Sequence, residues 1–176
     1  QAGNNLARIT SANELADYLK EVTSPDFFVS RFVDYSSHDG QFRKYRIAML
    51  RGEPFICHMA ISSDWMVHYV NAGMYESAEK REEEGLFMQN FNRFATRHQA
   101  ALSAIYARLQ LDYLCIDCAE TSDGKLLVFE IDHIMAVHAM DSASLFPFKA
   151  GQIAKLQHAF EQYLYTLQTQ PLLESA

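Results

Sequence analysis

The chain has 176 residues, 49% of them hydrophobic and only 7 of them glycine, which describes a well-cored globular domain and excludes a disordered or low-complexity segment. Its 22 acidic against 15 basic side chains give a net charge of -7, which excludes nucleic acid as the main partner because phosphate-backbone binding needs a basic face. No apolar run nears the roughly 18 residues of a membrane span, no basic stretch opens a signal peptide, and 3 cysteines make no disulfide framework, so the expectation is a cytoplasmic protein with no membrane partner.

In chain order, Ser11-Ala-Asn-Glu14 forms a capping box, and Leu15, Tyr18, Leu19 and Val22 follow at helical spacing until Ser24-Pro25, which predicts a helix over 11–22. Phe27 to Tyr35 is rich in aromatic and β-branched residues and ends in the turn cluster 36–40, so it reads as a strand. Phe42 to Leu50 and Pro54 to Ile61 flank Arg51-Gly-Glu53 as a hairpin. The charged run Glu76 to Glu84 reads as a solvated helical turn or loop. Phe87, Phe91, Phe94, His98, Leu102, Ile105 and Leu109 trace one face of a single long helix ending near Leu111. Strands over 112–119 and 125–132 come next, and a closing helix marked by Ile153, Leu156, Phe160, Leu164 and Leu167 runs on before Pro171. The order defines an α+β fold, a mainly antiparallel sheet flanked by helices, in one domain over 1–176.

Three carboxylates stand out because they lie in runs that otherwise read as buried strand: Asp117, Glu130 and Asp132. Ser122-Asp-Gly124 predicts a hairpin between their strands, and loop length fixes the register. A two- or four-residue loop sets Asp117 opposite a residue near Val128 and on one face with Glu130 and Asp132. A three-residue loop flips the register and separates Asp117 from the pair. Three acids on one semi-buried face repel unless a cation sits between them, and oxygen-only ligands suit magnesium or manganese. The plainer alternative is an exposed sheet face with scattered acids. Lys44 and Arg46 share a face of the other hairpin, either as cations facing the acids, as a nucleoside triphosphate requires, or as charges protecting a sheet edge.

These residues resemble the ATP-grasp superfamily, in its ribosomal-protein glutamate ligase-like and glutathione synthetase-like branch. Asp117 with Glu130-Ile-Asp132 is similar to that family's metal-binding Asp and Glu-x-Asn strands, and Lys44-Tyr-Arg46 to its Asp-x-Arg strand. Asn71-Ala-Gly73 resembles its Asn-x-Gly, Ser30-Arg-Phe-Val33 its adenine-reading hinge, and Gly3-Asn-Asn5 its glycine-rich phosphate loop. Arg43-Lys-Tyr-Arg46, His58, Trp65-Met-Val-His68 and Val137-His138 together resemble a subgroup in which the domain can follow tetratricopeptide repeats.

The resemblance implies the C-terminal subdomain of an ATP-grasp fold, as a fragment of a longer protein that begins Gln-Ala-Gly without an initiator Met. It further implies ATP and magnesium as cofactors, a small-molecule or peptide carboxylate as substrate, and carboxylate-amine or carboxylate-thiol ligation. Gly3, Arg31, Phe32, Val33, Lys44, Arg46 and Asn71 would hold nucleotide, Arg46 would act on the transferring phosphate, and Asp117, Glu130 and Asp132 would hold metal. Lys44 stands where the family has Asp, and Asp132 where it has Asn. The family's upstream subdomain supplies further phosphate-binding lysines, so the chain alone is expected to bind ATP weakly and turn nothing over. Two other readings stay open: a non-catalytic nucleotide-binding or interaction domain, and a metal-dependent hydrolase built on His58, His68, His133 and His138 with Asp132. Cys115-Ile-Asp-Cys118 is read as structural, because positions three apart on a strand point to opposite faces.

Overall fold

The computed structural model describes residues 6–24, 26–135, 137 and 141–169. The chain divides into two units, Gln1–Asp34 and Tyr35–Ala176. Among the described residues, no helix is long and apolar enough to cross a membrane.

The first unit holds α1 (Ala12–Glu21), where Ser11 Oγ accepts the Glu14 N–H at 3.2 Å. The Glu14 carboxylate accepts the Thr10 N–H at 2.7 Å, so the N-terminal turn is closed from both sides. After α1, no strand forms over 27–35, contrary to the sequence expectation. Phe28 is 106% exposed and its neighbour Val29 82%, so neither face of the run is covered. β-propensity here has no partner ladder to act on, and a strand without one does not persist. Pro25, at the predicted helix stop, lies outside the described residues.

In the second unit, β1 (Phe42–Leu50), β2 (Glu53–Ser62), β3 (Tyr113–Glu120) and β4 (Leu126–Asp132) form one antiparallel sheet in the order β2-β1-β3-β4. Arg51 and Gly52 make the first hairpin turn with φ of 51° and 87°, and Leu50 pairs with Glu53. Two central residues at positive φ match the right-handed twist of the flanking strands.

One sheet face is the main core. Tyr45, Ile47, Met49, Leu114 and Ile116 pack there against Phe91, Phe94 and Leu102. Those partners lie on α3 (Phe91–Arg97) and α4 (Gln99–Leu109), and Met88 joins the same core from α2 (Ala78–Gln89), so three helices stand where the sequence predicted a single one. Asn90 and His98 break the helical path with ψ of 15° and 11°, yet their N–H groups still bond back to Leu86 and Phe94. The aromatic stripe survives the bends, with ring contacts of 6.2 Å for Phe87–Phe91, 6.1 Å for Phe91–Phe94 and 4.4 Å for Phe94–His98. The other sheet face is apolar at one end only, where Leu156 of α5 (Lys149–Thr169) covers Ala48, Cys57 and Cys115. Cys115 and Cys118 thus lie on opposite faces, as their spacing predicts.

The charged run over 76–84, expected as a solvated helical turn or loop, is helical from Ala78 on, and only its end is not solvated. Ser77 caps α2 by accepting the Lys80 N–H at 3.2 Å, and Glu84 at the end of the run is 0% exposed. Glu84 accepts hydrogen bonds from the Met59 N–H at 3.1 Å and the Tyr69 hydroxyl at 2.9 Å, and Lys149 Nζ lies 3.3 Å away. Lys149 is itself 3% exposed and bonds Asp141 at 2.6 Å. The balancing cation comes from a different element far along the chain, which local charge pattern does not reveal.

Candidate functional site: a mixed-charge face of the sheet

Beyond the part covered by α5, the second sheet face turns polar. The register aligns four charged or polar residues across the strands: Arg46 pairs with His58 on β2 and with Asp117 on β3, and Asp117 pairs with Glu130 on β4. Asp132 sits one step along the same face, opposite Cys115. Two bulges shape this face. Pairing passes from Arg46–His58 to Ile47–Ile56 and leaves Cys57 as an extra residue, and it passes from Cys118–Val128 to Asp117–Glu130 and leaves Phe129 extra. Bulges bend a strand and re-aim side chains. Here Cys57 joins the small cluster under α5, and Phe129 meets the Tyr35 ring at 5.0 Å, which in turn meets Phe42 at 4.9 Å.

Asp117 is 3% exposed and fully engaged. Lys44 Nζ donates to its Oδ2 at 2.9 Å, while Arg46 donates from Nε to Oδ1 at 2.7 Å and from Nη2 to Oδ2 at 3.0 Å. Burial alone would raise this carboxyl, but the Arg46 and Lys44 hydrogen bonds outweigh it and hold it at about 2. Glu130 is exposed and makes no hydrogen bond or ion pair among the described residues. Asp132 Oδ1 accepts the Ile134 N–H at 3.1 Å and lies 3.4 Å from His133 Nδ1.

The three predicted metal-binding acids therefore share one face, but Asp117 points both oxygens at cations. No group of three or more His, Cys, Asp or Glu among the described residues is gathered to hold a metal. Magnesium needs only one or two carboxylates when waters and phosphate oxygens complete its octahedron. Glu130 and Asp132 fit that requirement by donor chemistry, and Asp117 serves as counter-charge to Lys44 and Arg46.

The other predicted site residues are more scattered. Gly3 and His138 lie outside the described residues. Arg31, Phe32 and Val33 belong to the first unit, in an irregular segment where the Arg8 guanidinium lies 3.8 Å from the Phe32 ring centre. Asn71 ends a 3-10 turn (Tyr69–Asn71), and its side chain accepts the His68 N–H at 3.1 Å.

Two features escaped the sequence reading. Cys115, taken as structural, has its thiol drawn below the ordinary value by the neighbouring Cys57, against its burial, with the Tyr113 hydroxyl at 3.2 Å and Arg46 adding to the effect. His68 and His98 each carry a buried Nε2 with no hydrogen-bond partner among the described residues. The sequence marks His68 in Trp65-Met-Val-His68 and among the four histidines of the hydrolase alternative, but gives no sign of the unpaired atom.

The class of protein so defined is an α+β domain presenting two cations and three carboxylates on one half-covered face of an antiparallel sheet. No family model, no curated protein and no solved structure matches the chain.

Proposed function

We propose that this chain is the phosphate- and metal-holding module of an ATP- and magnesium-dependent carboxylate-amine or carboxylate-thiol ligase, working in a reducing cytoplasmic compartment. The observation that carries the reading is the row Arg46, Asp117, Glu130 with Lys44 and Asp132 beside it, which sets cations and carboxylate oxygens side by side. Transfer of a phosphoryl group is catalysed by positioning and by charge, and this face offers both signs. Bound between Glu130 and Asp132, magnesium would neutralise phosphate charge and orient the nucleotide. Lys44 and Arg46 would meet the phosphate oxygens from the other side, with Asp117 holding the two cations in place until then. The substrate would be a small-molecule or peptide carboxylate.

A second reading, a nucleotide-binding domain without catalysis, is favoured by one specific observation. Asp117 is already saturated by Lys44 and Arg46, which leaves two acids rather than three for metal.

Manganese relaxation and calorimetry with ATP test the site in Glu130→Gln. Manganese–ATP affinity is expected to fall about tenfold, the effect of one lost charged ligand. Stability should stay within about 0.5 kcal/mol, since the Glu130 side chain is exposed and has no partner among the described residues. Unchanged affinity removes both readings. ADP release that requires an added carboxylate selects the ligase, and binding without release selects the second reading.

A further inference from the structure

The two edges of the sheet are finished differently. β2, at one edge, is buried from Ile56 to Ser62, and its outward Met59 N–H donates to the buried Glu84 carboxylate at 3.1 Å. β4, at the other edge, has no buried residue, and its Phe129 is 43% exposed. Among the described residues, no backbone group of β4 bonds any segment but β3. An uncovered edge strand of leucine, valine, phenylalanine and isoleucine, without proline, is a template for another strand.

The order of residues along β4 determines what fits it. Lys125 precedes the strand, and Glu130 and Asp132 lie at its far end. A parallel copy would set like charge against like. An antiparallel copy, turned about a two-fold axis between Val128 and Phe129, sets Lys125 opposite Asp132, Leu126 opposite Ile131 and Leu127 opposite Glu130. Lys125 then has Glu130 as its diagonal neighbour, within reach of a long side chain.

The bulge makes this register possible. Glu130 and Asp132, across from Asp117 and Cys115, lie on the polar face, while Ile131, across from Ile116, lies on the core face. Val128, across from Cys118, also belongs to the core face, so alternation sends Leu126 with it and turns Lys125 and Leu127 to the other. In an unbroken strand Lys125 and Asp132 would point to opposite faces. The extra residue at Phe129 brings them to one, and every pair outside the bulge then shares a face.

Acids outnumber bases along this edge. In each copy Lys125 pairs with Asp123 at 2.6 Å in the exposed turn, Glu130 has no partner among the described residues, and Asp132 accepts the Ile134 N–H and lies 3.4 Å from His133 Nδ1. An exposed pair such as Lys125–Asp123 contributes little and exchanges readily, so each lysine can serve two acids of the other copy. A basic peptide would suit the same acids but would end in a new open edge. Two-fold pairing closes both β4 edges at once and ends the ladder.

We propose that this chain forms a two-fold dimer through β4, joining the two sheets into one continuous antiparallel sheet, with the second copy's Lys125 beside Asp132 and Glu130 of the first. The second copy thus contributes a residue to the acidic end of the candidate site. The pairing does not require that this face hold nucleotide. A ladder of this length is a small interface, so the dimer dissociates on dilution.

Sedimentation velocity of the 176-residue protein over about 5–500 μM should show a concentration-dependent dimer. Lys125→Glu and Asp132→Lys are each expected to weaken it about tenfold, because each sets like charges opposite one another twice across the axis. Mixed in equal amounts, the two variants should form a heterodimer about as tight as the parent dimer, since both crossed pairs are then of opposite charge. Glu130→Lys, at an exposed position, takes the place of Asp132→Lys in the mixture if the latter loses its fold. A parent protein that stays monomeric across the range overturns the proposal, and binding of an added alternating Lys-Val peptide by that monomer would assign the edge to a peptide ligand instead. A dimer that neither variant weakens, or weakened variants that the mixture does not rescue, places the contact elsewhere and overturns it as well.

Discussion

Replacing Lys149 by Met is expected to destabilise the protein by about 3–5 kcal/mol, the largest single effect among the substitutions considered for this fold. The methionine matches the lysine stem in volume, so the loss is electrostatic. Glu84, 0% exposed, would keep its hydrogen bonds from Met59 and Tyr69 but lose the cation 3.3 Å from its carboxylate. An uncompensated charge in that position is far costlier than the missing attraction alone suggests. The pH dependence follows from sign. Burial already raises the Glu84 carboxyl above its ordinary 4.5, with Lys149 pulling against it. Without Lys149 the folded-state value rises further, so the variant is least handicapped below about pH 4.5 and loses ground as pH climbs through the folded value. Denaturant melts of the parent and of Lys149→Met between pH 4 and 8 should show the gap widening with pH. In the double variant Glu84→Gln/Lys149→Met, which removes the stranded Glu84 charge while Asp141 still loses its contact with Lys149, part of the loss should return. A gap that is constant in pH, or a double variant no better than the single, would mean that packing rather than charge holds the junction of α2, α5 and β2.

How the sheet face arises shows what sequence reading captures and what it misses. The alternation of Tyr45, Ile47 and Met49 against Lys44 and Arg46 is a period-two signal, and the structure sends the first set into the core and the second to Asp117. The convergence of Asp117 with Glu130 was expected from a two- or four-residue turn, but the connection is five residues, with Glu120 paired to Leu126. Continued without interruption, that register would have put Phe129 opposite Asp117 and turned Glu130 to the other face. The bulge at Phe129 restores the pairing, and nothing in Leu-Val-Phe-Glu announces it. The strand expected over 27–35 failed for a related reason: its residues suit a pleated surface, but a strand is a pairing, and pairing is a property of two segments. The long helix was right in its aromatic stripe and wrong in its continuity, because the stripe records only which side faces the sheet. Buried Glu84 was hidden because its partner Lys149 lies 65 residues away, in a stretch whose local pattern gives no reason to bury an amine.

Asp117→Asn is expected to cost about 2 kcal/mol at neutral pH and nothing near pH 2, and this pH profile bears on function more directly than the size of the loss. The folded carboxyl sits at about 2 against an ordinary 3.8. A depressed carboxyl stabilises the protein above its unfolded value and loses that contribution as pH falls toward the folded one. The gap between parent and variant should be flat above about pH 5 and close between pH 4 and 2 in denaturant melts. Asparagine keeps the shape but removes the carboxylate charge that Lys44 and Arg46 share, and their side chains are 13% and 16% exposed. Two half-sealed cations without their carboxylate form a stronger anion site than before, so inorganic phosphate should bind the variant more tightly than the parent in the absence of metal. Manganese–ATP should lose little affinity if Glu130 and Asp132 carry the metal, and a great deal if Asp117 is a ligand as the family resemblance implies. Calorimetry with phosphate alone and with manganese–ATP separates these outcomes. A variant that binds phosphate no better than the parent would show that Lys44 and Arg46 are locked into the sheet as structural ions, and the proposed phosphate site would fall with it.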